Sequence, residues 1–291
     1  MDIAFHIGAH CTDEDRLLKS LLRNREDLLA LGISVPGPGK YRGVLRDVVT
    51  KLRGGQASSQ TQDAVLETVL EGDDPSRLVL SNQSFISMPS MSVGDGMLYP
   101  KAFKAAWLRN IFPDHRVEFL VGLRNPATFL PALWRLSGSD RTEFATFLGN
   151  SDPLELRWSH MLARLREACP DAPIKVWCNE DTPLIWEEVL RAVTAAPDGT
   201  RIIGGFDILR TIMTSEGMNR LRAYTKAHPP EDAETRRRIV SAFLAKFALE
   251  DEIEEEFDLP GWTPALVDTI STRYDEDIEI ISAMPGVTVI G

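Results

Sequence analysis

The stretch from Ile3 to Gly39 constrains this chain more than any other. Ile3 to Gly8 is short, apolar and ended by glycine, which reads as a buried strand. From about Asp13 to Leu31, the residues Leu17, Leu18, Leu21, Leu22, Leu28 and Leu29 form one helical apolar stripe. Gly32 stops that helix, Ile33 to Val35 reads as a second short strand, and Pro36-Gly37-Pro38-Gly39 breaks the chain. Two short strands joined through a helix make a βαβ unit, which needs a parallel sheet covered by helices.

The same alternation continues. Tyr41 to about Leu70 reads as helix interrupted by the polar stretch 54–60, and Leu78 to Leu80 as a buried strand ending at Ser81-Asn82. Lys101 to Phe112 reads as helix, Val117 to Leu123 as the most strand-like run, and about Ala127 to Leu136 as helix. Residues 151–168 then read as helix, Ile174 to Cys178 as strand and Leu184 to Thr194 as helix. Beyond about residue 210 the pattern is mostly helical, ending in a helix through Tyr274 to Glu279 and a last strand, Val287 to Ile290. The acids of both C-terminal charge runs, Glu250 to Glu256 and Asp275 to Glu279, are expected on wet helix faces. The fold expected is a single α/β domain over 1–291, a three-layer parallel sheet flanked by helices with a mainly helical C-terminal portion.

Charge narrows the partners. With 43 acidic against 32 basic residues the net charge is −11, so nucleic acid is not expected as a partner. Two local basic clusters, Lys40 to Arg53 and Arg236 to Arg238, read as solvated helix faces. The 3 cysteines, Cys11, Cys169 and Cys178, form neither a disulfide framework nor a CxxC metal knuckle, and no metal is expected. The chain lacks a run of about 18 apolar residues, and Met1 to His6 has neither a basic nor an apolar leader region, so membrane insertion is not expected and the cytoplasm is.

In a parallel sheet the turn after the first strand is the favoured place for a phosphate. Here that turn is His6-Ile7-Gly8-Ala9-His10-Cys11-Thr12-Asp13-Glu14-Asp15-Arg16. His6-Ile7-Gly8, Thr12 and the later Gly32-Ile33-Ser34-Val35-Pro36-Gly37 resemble the opening of sulfotransferases, His-Ile-Gly-x-x-Lys-Thr-Gly-Thr-Thr followed by a Gly-Ile-x-x-Pro-Gly strand. Leu80-Ser81-Asn82-Gln83 is similar to that family's strand ending in Ser-x-Glu, and Leu123-Arg124-Asn125-Pro126 to its Leu-Arg-Asn-Pro strand end. Glu180-Asp181 resembles its late Glu-Asp strand end, so the likeness runs in order over roughly the first 190 residues. The resemblance implies a P-loop-type fold and transfer of a sulfuryl group from 3′-phosphoadenosine-5′-phosphosulfate to a hydroxyl or amine of a small molecule or carbohydrate. It implies Gly8, Ala9, Thr12 and Arg16 at the 5′ end of that nucleotide, and Arg124 with Ser137 at its 3′-phosphate.

The departures fall on the chemistry. The family's loop lysine, which neutralises the phosphosulfate, falls on Cys11, and its Gly-Thr-Thr on Asp13-Glu14-Asp15. Its glutamate falls on Gln83, which accepts no proton, and its serine on Ala132, with Ser137 and Ser139 farther on. The bases left are His10 and His6, and Cys11 before a helix start is a candidate nucleophile. Thr12 and Asp15 have the spacing of a capping box, which places Asp13, Glu14 and Asp15 in the first helical turn and meets its amides with the protein's own acids. One carboxylate 4 Å from a ligand charge costs ~4 kcal/mol at an effective dielectric near 20. A different class of function is therefore expected beside the transferase: an inert relative that keeps the fold as a binding module. Arg124, at a buried strand end, needs a partner, either a ligand phosphate or an acid such as Asp140 or Glu143. Trp134, Trp158, Trp177 and Trp186 are expected in the core or lining a groove.

Overall fold

The computed structural model describes residues 1–138, 143–249, 252 and 259–291. In chain order the strands are β1 (Asp2–His6), β2 (Ile33–Ser34), β3 (Arg77–Ser81), β4 (Val93–Gly94), β5 (Met97–Leu98), β6 (Arg116–Leu123), β7 (Ile174–Cys178) and β8 (Val287–Val289). β4 and β5 form a separate antiparallel hairpin that the sequence pattern did not announce. The others form one sheet in the order β2-β3-β1-β6-β7-β8, and each neighbouring pair is parallel.

The helices are α1 (Arg16–Arg23), α2 (Arg25–Ala30), α3 (Pro38–Leu52), α4 (Ser59–Leu70), α5 (Ala105–Arg109), α6 (Pro126–Leu136), α7 (Phe144–Leu148), α8 (Trp158–Ala168), α9 (Thr182–Thr194), α10 (Leu209–Ile212), α11 (Ser215–Ala227), α12 (Ala233–Phe247) and α13 (Pro264–Ser282). Strand side chains alternate between faces, and the two cores follow that period. Ile3, Phe5, Phe119 and Val121 join Tyr41, Val65, Leu130, Trp158 and Ile281 under α3, α4, α6, α8 and α13. Ala4, Val79, Leu120 and Trp177 join Leu17, Leu21, Trp186 and Val189 under α1, α2 and α9. The result is three layers, with α10, α11 and α12 forming a small apolar cluster of their own beside α9. Arg236 and Arg237 of the expected wet face pair instead with Glu187 and Glu188 of α9.

This topology fixes the site. From β1 the chain enters α1 on one face, and from neighbouring β6 it enters α6 on the other. The loops diverge at the carboxyl ends of two adjacent strands, where open α/β sheets bind ligands. Beyond His6 the loop still follows β6, because the Ile7 and Ala9 amides donate to the Leu120 and Gly122 carbonyls at 3.0 and 2.9 Å.

Several boundaries differ from expectation for identifiable reasons. The first helix breaks at Asn24, whose buried side chain donates to the Ser20 and Ile203 carbonyls and accepts the Ile203 amide. α8 begins only at Trp158, because Asp277 of α13 accepts the Trp158 and Ser159 amides at 2.7 and 3.1 Å. Asp277 is thus a buried cap supplied from 118 residues away, not a solvated acid. Most of the acidic run Glu250 to Glu256 lies outside the described residues. Trp158, Trp177 and Trp186 are fully buried. Among the described residues no helix is long and apolar enough to cross a membrane.

Gly122 lets the loop lie down on the sheet. A Cβ there would sit 3.0 Å from Trp177 Nε1 and 3.4 Å from Thr12 Cβ. Gly122→Val therefore presses into both, and overfilling a tight core costs about 1–3 kcal/mol. Urea unfolding is expected to show that loss, whereas Gly43→Ala on α3, with nothing within 4 Å of the added Cβ, keeps or raises stability.

Candidate functional site

The loop between β1 and α1 is tied down by its own acids. Asp13 is 3% exposed, and its Oδ2 accepts the Leu17 amide at 3.0 Å while its Oδ1 accepts the Gln83 side-chain amide at 2.6 Å. Glu14 pairs with Arg16 at 3.0 Å, and Asp15 pairs with Arg42 of α3 at 3.0 Å. Arg42 also donates to the Ser81 carbonyl at the end of β3. Three acids thus brace the loop against α1, β3 and α3.

The capping differs from the spacing-based expectation. α1 starts at Arg16, and its N-cap is Asp15 in the left-handed region with no side-chain cap bond. Thr12 is not the cap; its hydroxyl donates back to the Ala9 carbonyl at 2.8 Å. Cys11, Glu14 and Asp15 all have positive φ, so the loop coils tightly before the helix and swings Asp13 under its first turn. The role expected of a local capping box falls to Asp13, four residues before the amide it meets.

A cleft of about 480 Å³ opens beside this loop. Cys11, Thr12, Glu14 and Arg16 line it together with Arg124, Thr128 and Glu180. Four of the expected residues, Cys11, Thr12, Arg16 and Arg124, are therefore brought to one cavity. Arg124 donates from Nε to Thr128 Oγ1 at 3.0 Å and from Nη1 to the Cys11 carbonyl. Glu180 was legible as a strand-end landmark but not as a site residue. One of its oxygens accepts the Asn125 amide at 2.8 Å and the other the Tyr274 hydroxyl at 3.2 Å. Burial pushes its pKa up, against the pull of those donors and of Arg124.

The remaining expected residues lie elsewhere. Gly8 and Ala9 face the backbone of β6, where the Gly8 carbonyl accepts the Gly122 amide at 2.7 Å. Ser137 caps the far end of α6 and donates to the Trp134 carbonyl, so an 11-residue helix, about 16 Å long, separates it from Arg124. Ser139 and Asp140 lie outside the described residues, and Glu143 is exposed at the start of α7.

His6 and His10 share neither a cavity nor a partner. His6 is fully buried, stacked on Trp177 and bonded through Nδ1 to Ser81 Oγ at 2.9 Å. Burial lowers its pKa, against the nearby carboxylates of Asp13 and Asp15. His10 is 2% exposed, with Nδ1 2.7 Å from the Tyr99 hydroxyl, whose oxygen also accepts the His10 amide at 2.8 Å. The Tyr99 proton is thereby directed at Nδ1, which leaves Nε2–H to face Ser84 Oγ at 3.4 Å. His10 is thus a fixed neutral donor on the side of β3, with its pKa lowered to about 4 by burial. Tyr99, 89 residues from its partner, carries no local sequence signal.

Among the described residues no group of three or more His, Cys, Asp or Glu side chains is placed to hold a metal ion. No protein-family model, curated protein or solved structure matches this chain.

Two predictions follow from this geometry. Gln83→Glu puts a second carboxylate against Asp13 and is expected to cost about 1.5–3 kcal/mol at pH 7, as loss of a hydrogen bond to a charged group does. Asp13→Asn in the same chain restores most of that loss, and denaturant unfolding of the four-member cycle reads the coupling. His10 has a folded-state pKa below its ordinary 6.5, so the unfolded chain binds the proton first and stability falls as pH drops from 6.5 towards 4. The group contributes about 1.4 kcal/mol per pH unit there, up to about 3 kcal/mol in total. His10→Gln should reduce the slope of the urea-midpoint profile between pH 6.5 and 4, while the contribution from His6, whose pKa burial also lowers, persists.

Proposed function

We propose that this chain is a sulfotransferase-like protein of P-loop-type fold whose donor loop has been rebuilt, so that the scaffold serves ligand binding without sulfuryl transfer. The order of motifs supports the scaffold part of this reading: His6-Ile7-Gly8 ends the first strand of a parallel sheet, and Arg124-Asn125-Pro126 ends its neighbour β6. Both flank the diverging loops where such a sheet takes a nucleotide.

The observation that carries the second part is the buried carboxylate of Asp13. It accepts an α1 amide that a phosphate would otherwise meet, and it brings its own negative charge to that place. In-line transfer of an anionic group relies on cations placed around the developing charge. The cleft holds Arg16 and Arg124 against Glu14, Glu180 and Glu252, and Arg16 is already paired with Glu14. That is an excess of one acid around the place a dianion would occupy.

Isothermal titration with adenosine 3′,5′-bisphosphate tests both parts. The unaltered chain is expected to give no binding heat at millimolar nucleotide. The combined substitution Cys11→Lys, Asp13→Gly, Glu14→Thr and Asp15→Thr is expected to bind at least about tenfold tighter, in the submillimolar range. Submillimolar binding by the unaltered chain, abolished in Arg124→Ala, overturns the inert reading in favour of transfer from 3′-phosphoadenosine-5′-phosphosulfate. A folded quadruple variant that still ignores the nucleotide overturns the scaffold assignment.

A further inference from the structure

A second cavity, of about 520 Å³, opens between α3, the segment from Asn82 to Met91, and α5, and shares no lining residue with the cleft. Its body is apolar, walled by Leu45, Val49, Phe85, Ile86, Trp107 and Leu108, with polar atoms of Asn82, Ser84 and Ser87 along one side. Met88 and Met91 also line it and stand 53% and 42% exposed, unusual for flexible apolar side chains beside a pocket of this size.

The charge lining is one-sided. Arg42, Arg46, Lys101 and Lys104 line the cavity, and among the described residues no aspartate or glutamate does. This occurs in a chain with 43 acidic and 32 basic residues. Arg42 is paired with Asp15 and Arg46 with exposed Asp47, at 3.0 and 3.6 Å. Lys101 and Lys104 differ: among the described residues neither has an acid within 4 Å. Lys104 Nζ stands 5.2 Å from the Trp107 ring centroid, and Lys101 Nζ lies 3.6 Å from the Met91 sulfur. His10, which reaches Ser84 on the polar side, is neutral at physiological pH and adds no charge.

We propose that this cavity binds an amphipathic organic anion, with an aliphatic or aromatic body against Val49, Phe85 and Trp107 and a single carboxylate or sulfate-type head held by Lys101 and Lys104. An apolar volume of a few hundred Å³ with a few polar groups is the usual form of a small-molecule site. Cations at its mouth with no acidic partner select for a negative head. The proposal uses residues apart from the β1–α1 loop and the cleft, so it holds or fails separately from the donor-site reading.

Isothermal titration with dodecanoate and dodecyltrimethylammonium below their micelle concentrations, and with dodecanol below its solubility limit, tests it. Dodecanoate is expected to bind in the micromolar range, dodecanol at least about tenfold more weakly, and the ammonium compound not at all. Lys101→Glu with Lys104→Glu should weaken dodecanoate about tenfold or more while the chain stays folded, since both side chains are only partly buried and neither has an acidic partner among the described residues. Val49→Trp, which fills the body of the cavity, should remove dodecanoate and dodecanol together. Equal affinity for dodecanoate and dodecanol, an unchanged dodecanoate affinity in the folded double-glutamate variant, or no binding of dodecanoate by the unaltered chain would each overturn the assignment.

Discussion

The Asp13 carboxylate is the contact on which this end of the molecule depends. A charge with 3% exposure needs its hydrogen bonds made, and it finds two, one from the first turn of α1 and one from Gln83 just past β3. Those two bonds join the helix that follows β1 to the strand that neighbours it. Asp15 extends the brace to α3 through Arg42, which also holds the carbonyl at the end of β3. The loop is therefore an internal strut, held by the protein's own side chains. A phosphate loop of the ordinary kind leaves its amides for the ligand; this one meets the helix end with carboxylate.

The strut also sorts the charge around the sheet's carboxyl end. On the side of α9 it leaves Arg16 and Arg124 among Glu14, Glu180 and Glu252, one acid in excess among the described residues, and burial raises the pKa of Glu180. On the side of α3 it engages Arg42 but leaves Lys101 and Lys104 beside apolar walls. Two cavities at one end of one sheet thus have opposite electrostatic character in a chain whose net charge is −11. The unpaired cations, rather than the cleft that topology favours, mark where an anion gains most.

How much of this was legible depended on sequence distance. The βαβ opening, the parallel sheet and most strands followed from apolar runs punctuated by glycine and proline, because strand burial is written locally in residues such as Ile3 to Phe5 and Val117 to Leu123. Cys11, Thr12, Arg16 and Arg124 were each singled out in the sequence, and the parallel neighbours β1 and β6 bring them to one cleft. The cap of α1 was not. Thr12 and Asp15 have the right spacing, but left-handed φ at Cys11, Glu14 and Asp15 re-aims the chain, and no propensity argument assigns positive φ to a glutamate. Asp277 under α8 and Tyr99 on His10 were invisible for a different reason: each meets its partner across 89 or more residues, and nothing in the local pattern of an acidic helix or a lone tyrosine records it.

Asp13 and Gln83 hold the loop as a pair. Along the sequence they lie 70 residues apart, and nothing local links them. In the structure they are one pair, 2.6 Å apart. A glutamate at 83 facing buried Asp13 would bring two carboxylates together, and like charges that close repel. A glycine at 13 facing Gln83 would leave the amide donor and the Leu17 N–H without the acceptor they share, and an unmet buried donor costs about 1–3 kcal/mol. Each of the two residues is therefore favourable only beside the other. The pair therefore acts as one unit of the loop, and a change at either position is felt at the other.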